Sequence, residues 1–386
     1  MNMSNDGFSG GFAKRPGSVR ATGACFCIAL AAFLAACAPE PILVGVPVGL
    51  TGLSGRLGVM GRSGIELAAA ELNAAGGVRG RPIELLVRDD GDSSETALEA
   101  DRFLVDAGVV CLVGHMASKT GVLTADFATE KRVPLLSPTV SAPGHSGKDD
   151  YFFRIVASSD FQGRDLALHA LASGRRRAAV AWELTNRSYS IPMKERFEET
   201  FRAGGGTILG GLGFPTGSDT DYPAIAETLM AGNPDAILIS ASAWDVANIC
   251  QALAGAGASP LVLIPLWGRT DDLLTLGGRS VEGVVAVSGL DPDYPGEKNQ
   301  AFRAAFRARY GEEADFGAEY GYEAMRIMAQ ALEQARGLDG PDIKAALLSL
   351  EEPFTLQSPF RFDPYGDCDR PYRLSAVRDG RFEMLP

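Results

Sequence analysis

At 386 residues the chain exceeds what one hydrophobic core organises, so two domains are the default. With 46% hydrophobic and 22% charged residues it has the makeup of a globular protein with apolar material for two cores. A net charge of −12 argues against a nucleic-acid partner, because phosphate binding needs a basic surface.

The chain is expected to begin with a targeting segment over residues 1–36. Lys14, Arg15 and Arg20 form a basic region, and the apolar run Ala21 to Ala36 is shorter than the roughly 20 residues of a membrane-spanning helix. The run ends in Leu34-Ala35-Ala36-Cys37, which looks like a bacterial lipobox. The resemblance implies cleavage before Cys37 and a lipid on its thiol, with residues 37–41 as a tether; an ordinary secretory peptide with a chance cysteine is the alternative. Without residues 1–36 the chain has 33 basic and 47 acidic side chains, a net charge of −14. Of the three cysteines that remain beyond Cys37, Cys111 sits in an apolar strand and Cys250 on a helical stripe with Ile249 and Leu253. Both read as small buried hydrophobes. The odd number leaves at least one thiol free unless two chains are bridged.

Ile42 to Val48 is strand-like, and Gly49 to Gly64 reads as a glycine-rich loop whose spacing does not fit a dinucleotide fingerprint. A helix over Ile65 to Ala75 ends at Gly76-Gly77, a strand follows over Ile83 to Arg88, and a helix over Glu95 to Ala107. Val109 to Val113 is the next strand, Lys119 to Lys131 a helix, and Val133 to Leu136 a strand. This alternation predicts an α/β fold with a doubly wound parallel sheet. After a short extended segment over Tyr151 to Val156, the same rhythm restarts. Strands fall at Ala178 to Trp182, Thr207 to Phe214, Ala236 to Ser240, Leu261 to Pro265 and Val284 to Ser288, with helices between, so two such lobes are expected. Helices over Lys298 to Tyr310, Tyr320 to Arg336 and Pro341 to Leu350 have no sheet nearby in sequence and must return to one already built. The tail, Pro359 to Met384, reads as two or three antiparallel strands.

The polar loops after Val113 and Leu136 leave the carboxyl ends of neighbouring strands, where parallel sheets bind ligands. Ser118 is placed to cap the helix that follows, and its hydroxyl, that of Ser141 and the free N–H groups of a helix start suit a small carboxylate. The plainer reading makes Ser118 only a cap, and Ser137 and Ser141 only turn residues around Pro138 and Pro143.

Three stretches, Gly64 to Asp90, Val113 to Ser118 and Pro134 to Pro143, resemble the leucine/isoleucine/valine-binding class of periplasmic substrate-binding proteins, the type I fold that serves ABC importers. The resemblance spans about residues 42–378. It implies two lobes joined by a three-segment hinge, residues 42–157 with 289–357 and residues 158–288 with 358–386, closing on a solute. It also implies that Ser118 and Ser141 hold a ligand carboxylate, that the Thr139 carbonyl faces an ammonium and that Tyr189 closes over the ligand. Leu57 borders the ligand side chain on this reading, Trp244 lines the cleft or packs in the core, and Lys119 pairs with a second acid group or faces solvent.

Two departures from the family pattern stand out. Trp267 occupies a place where amino-acid binders carry an acidic residue for the ligand ammonium, which leaves Asp245 or Asp271 as possible substitutes. Trp267 is either a stacking or cation-binding wall or a packing residue. Gly91 and Ala117 stand where the family often places a disulfide.

Nothing points to an enzyme. No GxSxG, HExxH or CxxC pattern is present, and Ser118-Lys119-Thr120 lacks the preceding glycine of a phosphate loop. His115 is expected to be a loop histidine bonded to backbone. No cofactor, metal or catalytic residue is predicted. The expected partners are a carboxylate-bearing small molecule, ABC permease subunits and a membrane held through Cys37, with the protein itself a monomer. The competing reading is a lipid-anchored sensor, or a scaffold for an envelope enzyme, without transport.

Overall fold

Ile42–Val48 is strand β1, and six of its seven residues are buried, as befits a parallel strand covered on both faces. The computed structural model describes residue 11 and residues 39–52, 55–91, 93–291 and 293–386. The expected signal segment and the lipidation site at Cys37 lie outside the described residues.

Two sheets carry the fold. The first is fully parallel in the order β2-β1-β3-β4-β5, with β2 at Ile83–Asp89, β3 at Cys111–Val113, β4 at Leu135–Ser137 and β5 at Phe152–Arg154. The second runs β12-β11-β10-β9-β8-β6-β7. Its parallel strands are β6 (Arg177–Glu183), β7 (Thr207–Phe214), β8 (Ala236–Ser240), β9 (Leu261–Ile264) and β10 (Val285–Ser288). An antiparallel hairpin, β11 (Arg373–Arg378) and β12 (Arg381–Met384), completes it. The strand order switches direction between β1 and β3 in the first sheet and between β6 and β8 in the second. Crevices open at such points.

Eleven α-helices occur among the described residues. Helices α1 (Gly55–Ala74), α2 (Ser94–Asp106) and α3 (Ser118–Lys131) belong to the first lobe, and α4 (Ser159–Ala172), α5 (Arg187–Ala203), α6 (Tyr222–Met230), α7 (Ala243–Gly255) and α8 (Asp271–Gly277) to the second. After β10 the chain supplies α9 (Glu297–Tyr310), α10 (Phe316–Gln334) and α11 (Gly340–Leu348), and α10 packs along α1. The late helices therefore return to the first sheet, as the absence of a nearby sheet requires.

The glycine-rich stretch differs from the sequence expectation. From Gly55 onward it is helix, not loop. Its glycines serve close approach: a Cβ on Gly58 would lie 1.7 Å from the Gly49 carbonyl oxygen, and one on Gly64 2.0 Å from that of Ala318. A Cβ on Gly321 would in turn sit 2.3 Å from the Gly61 carbonyl, so the backbones of α1 and α10 meet with no side chain between them.

The passages between the sheets are tied together. The Tyr372 hydroxyl donates to the Ala157 carbonyl at 2.5 Å, and the Gln357 amide exchanges hydrogen bonds of 2.8 and 2.9 Å with the Asp291 backbone. Residues 362–368 lean on β5. The Arg154 amide donates to the Gly366 carbonyl at 3.1 Å, and Phe362 meets Phe153 edge-on with centroids 5.6 Å apart. Residues 41–386 form one compact unit. Cys111, Cys250 and Cys368 are buried and unbridged, and no helix among the described residues is long and apolar enough to cross a membrane.

Candidate functional site

The loops after β3 and β4 are stitched to each other. Ser137 Oγ donates to the His115 carbonyl at 2.8 Å, and Thr139 Oγ1 donates to the Met116 carbonyl at 2.5 Å. Ser118 is not the cap of α3. Ala117 holds that position without a side-chain hydrogen bond, and Ser118 is the first residue inside the helix. Its Oγ instead accepts from the amides of Ser141 and Ala142, at 3.2 and 3.3 Å. Those two amides are buried, and the hydroxyl satisfies them. The Ser118 amide and the Ser141 hydroxyl have no partner among the described residues.

These groups line a cavity of about 30 Å³ between the lobes. Leu57, Met116, Ser118, Thr139, Ser141 and Phe316 come from the first lobe, and Gln162, Asn186, Tyr189, Leu266 and Trp267 from the second. Val156 and Tyr372, from the passages between the lobes, complete the lining. Tyr189, in the first turn of α5, is buried; its hydroxyl donates at 2.8 Å to Gln162 Oε1, which also accepts the Leu266 amide at 3.0 Å. Burial raises the Tyr189 phenol well above its ordinary range. The ring of Trp267 meets that of Tyr189 edge-on, with centroids 5.9 Å apart.

A second chamber, of about 250 Å³, adjoins the first through Asn186 and Trp267. Lys119, Glu183, Trp244, Thr216 and Ser242 are among its walls. Glu183 is fully buried and accepts from the amides of Thr185 and Asn186. Its carboxyl is held above the usual range, chiefly by burial and also by the charge of Asp245, against the pull of those hydrogen bonds. Asp245 lies behind the wall, where the hydroxyls of Thr216 and Ser242 donate to it at 2.6 Å each and that of Tyr222 at 2.9 Å.

Behind the first cavity, His115 is bonded to carboxylates rather than to backbone, contrary to the sequence expectation. Nδ1 lies 2.5 Å from Asp90 and Nε2 3.2 Å from Asp101, all three side chains being buried. Burial alone would strip the proton from the ring; the charges and hydrogen bonds of Asp101 and Asp90 overcome it and raise the imidazolium to about 10.

Of the residues singled out from sequence, Leu57, Ser118, Thr139, Ser141, Tyr189 and Trp267 meet around the inner cavity, and Lys119, Trp244 and Trp267 around the outer. Asp271 lies at the start of α8 and lines neither, facing instead a separate recess with Arg269, Asp315 and Glu319. Sequence reasoning missed Gln162, Asn186, Phe316 and Tyr372. Asn186 follows the strand at the second sheet's switch point, which was a usable signal; the other three reach the cleft only through tertiary packing.

A sequence model of the family described as periplasmic binding protein matches residues 41–381. The leucine-, isoleucine-, valine-, threonine- and alanine-binding protein of Pseudomonas aeruginosa is 22% identical over 80% of this chain and 83% of its own. A Leu/Ile/Val-binding protein homolog of Brucella abortus is 25% identical over 93% of this chain and 97% of its own. Among solved structures, a branched-chain amino acid transporter substrate-binding protein of Streptococcus pneumoniae in complex with isoleucine superposes with a TM-score of 0.82 at 22% identity, covering 90% of this chain and 99% of that one. A solute-binding protein of an ABC transporter from R. palustris in complex with benzoate gives 0.80 at 20% identity, covering 90% and 96%. The two parallel-dominated lobes are thus the type I periplasmic binding fold, and the chain belongs to the periplasmic binding protein family.

Proposed function

We propose that the protein is the extracytoplasmic solute-binding component of an ABC importer, and that it captures a small carboxylate-bearing solute by closure of the two lobes. The observation that carries this reading is the unpartnered pair at the inner cavity, the Ser118 amide at the start of α3 and the Ser141 hydroxyl. A helix start and a hydroxyl donor side by side make a carboxylate cradle. Isoleucine and benzoate, bound by two relatives, share a carboxylate and little else. Thr139 offers its carbonyl to a donor on the solute, and Tyr189, Trp267 and Leu57 shape the space around its body.

On this reading the first lobe is residues 42–157 with 289–368, and the second is residues 158–288 with 373–386. The contacts of residues 362–368 with β5 argue for placing the third hinge segment at 369–372. On this reading Cys37 carries the lipid that holds the protein at a membrane of the envelope, where it meets its permease as a monomer. Cys37→Ser should release the protein from membranes, and continued detergent-dependent partitioning would reject the anchor.

The function is tested by thermal unfolding against a panel of amino acids and aromatic and aliphatic acids. A binder gains RT ln(1 + [L]/Kd), about 2.7 kcal/mol at a hundredfold excess over Kd. No shift with any small molecule, together with capture of a protein partner, would favour a scaffold instead.

A further inference from the structure

Charge is divided across the cleft. On the first lobe, the start of α3 presents positive potential beside Ser118, and Lys119, next in the chain, reaches the wall of the outer chamber. On the second, the outer chamber presents Glu183, with Asp245 immediately behind the hydroxyls of Thr216 and Ser242. Both carboxylates are completely buried, and neither forms an ion pair with a basic side chain among the described residues. Burying two anions this close is costly unless a cation offsets them.

Three further features of the chamber suit a cation. Trp244 and Trp267 wall it, and indole faces are the best aromatic partners for an ammonium. Asn186, only 7% exposed and common to both chambers, has a buried Oδ1 without a hydrogen-bond partner among the described residues. A lone buried acceptor calls for a donor. The inner cavity offers about 30 Å³ and the outer about 250 Å³, and the two share Asn186 and Trp267 as walls.

We infer that the solute is dipolar and elongated: its carboxylate sits at Ser118 and Ser141, and a cationic amine or N-methylated ammonium at its far end occupies the outer chamber between Glu183, Asn186 and the two indoles. This rests on the carboxylate reading of the inner cavity and names the class of solute that the same cleft takes. It also gives Trp267 a role. The indole stands at the junction, where it excludes a carboxylate partner for an α-ammonium and faces the tail that carries a distal one.

The test is calorimetric titration of the full chain with (3-carboxypropyl)trimethylammonium, the probe with a cationic tail, and with its carbon isostere 5,5-dimethylhexanoate, the probe with a neutral tail. The cationic probe should bind about tenfold tighter or more, as a desolvated cation–π and carboxylate contact implies. Glu183→Gln should bring the two probes to within about threefold of each other. Because Glu183 is buried and its replacement can unsettle the fold, Trp244→Leu, at a position 51% exposed, serves as the second variant and should narrow the gap in the same direction. Ser118→Ala should weaken both probes alike. Equal or tighter binding of the neutral probe overturns the cationic subsite and leaves the carboxylate reading standing; failure of both probes and of every other carboxylate overturns the two together.

Discussion

The indole of Trp267 stands edge-on to the ring of Tyr189, with centroids 5.9 Å apart and planes at 81°, where the two cavities join. Neither ring offers a charge to an α-ammonium at that point. Trp267→Glu should therefore create preference for α-amino acids, worth about 1.5–3 kcal/mol for one new charge-assisted hydrogen bond. Titration with leucine and valine reads it, and no gain for either would remove the ammonium account of this position.

The two serines should separate stability from binding. Ser118→Ala leaves the amides of Ser141 and Ala142 without their acceptor, so it should cost about 1–3 kcal/mol of stability as well as weakening carboxylate binding. Ser141→Ala removes a hydroxyl with no partner among the described residues. It should lower affinity for a carboxylate by roughly 1–3 kcal/mol while leaving the melting temperature of the free protein nearly unchanged. Unchanged affinity in both variants, measured by calorimetry, would take the carboxylate away from these loops.

His115 should write an alkaline limb into the stability curve. Its imidazolium is raised in the folded protein to about 10, above the ordinary 6.5. A cation with a raised value contributes stability that is fully present below about 6.5 and is lost as pH climbs through about 10. The groups facing the ring are Asp90 and Asp101, with Thr120 at 3.5 Å from Asp90. His115→Gln strands two buried carboxylates and should cost roughly 3–5 kcal/mol at neutral pH, and its melting temperature should lack this decline between pH 7 and 10. Parallel curves for the two proteins across that window would show that the ring is not charged.

Arg56 of α1 and Asp272 of α8 form an ion pair of 3.3 Å across the mouth of the cleft, each about half exposed. Exposed pairs of this kind contribute about 0–1 kcal/mol and weaken with salt. Asp272→Asn should thus lower solute affinity by no more than about fivefold and reduce its dependence on ionic strength. A larger loss, or an unchanged salt dependence, would mean that the pair does not bridge the lobes in the bound state.

The sequence was most legible where period and composition agree. The strands Ile42–Val48, Thr207–Phe214 and Ala236–Ser240 coincide with the expected segments, because continuous apolar runs bounded by turn residues leave little choice. The start of α1 was not legible. Glycines at 55, 58, 61 and 64 read locally as loop, and only the approach of α10 explains them as helix. The short helix α8 also escaped notice. Around the cleft, loop position at the strand ends led to Ser118 and Ser141, and the family resemblance led to Tyr189. Gln162 and Tyr372 gave no such signal, since their contacts with Leu266 and Ala157 join residues about 100 or more positions and over 200 positions apart.

The seam between α1 and α10 reaches further than its distance from the cleft suggests. Leu57 and Phe316, at the amino-terminal ends of these two helices, both line the inner cavity, and a Cβ on Gly317 would lie 2.9 Å from the Leu57 side chain. A methyl group added at Gly64 or Gly321 would wedge the helices apart and shift that wall. Alanine at either position should therefore change solute preference from outside the cleft, with no residue that touches the cargo being replaced.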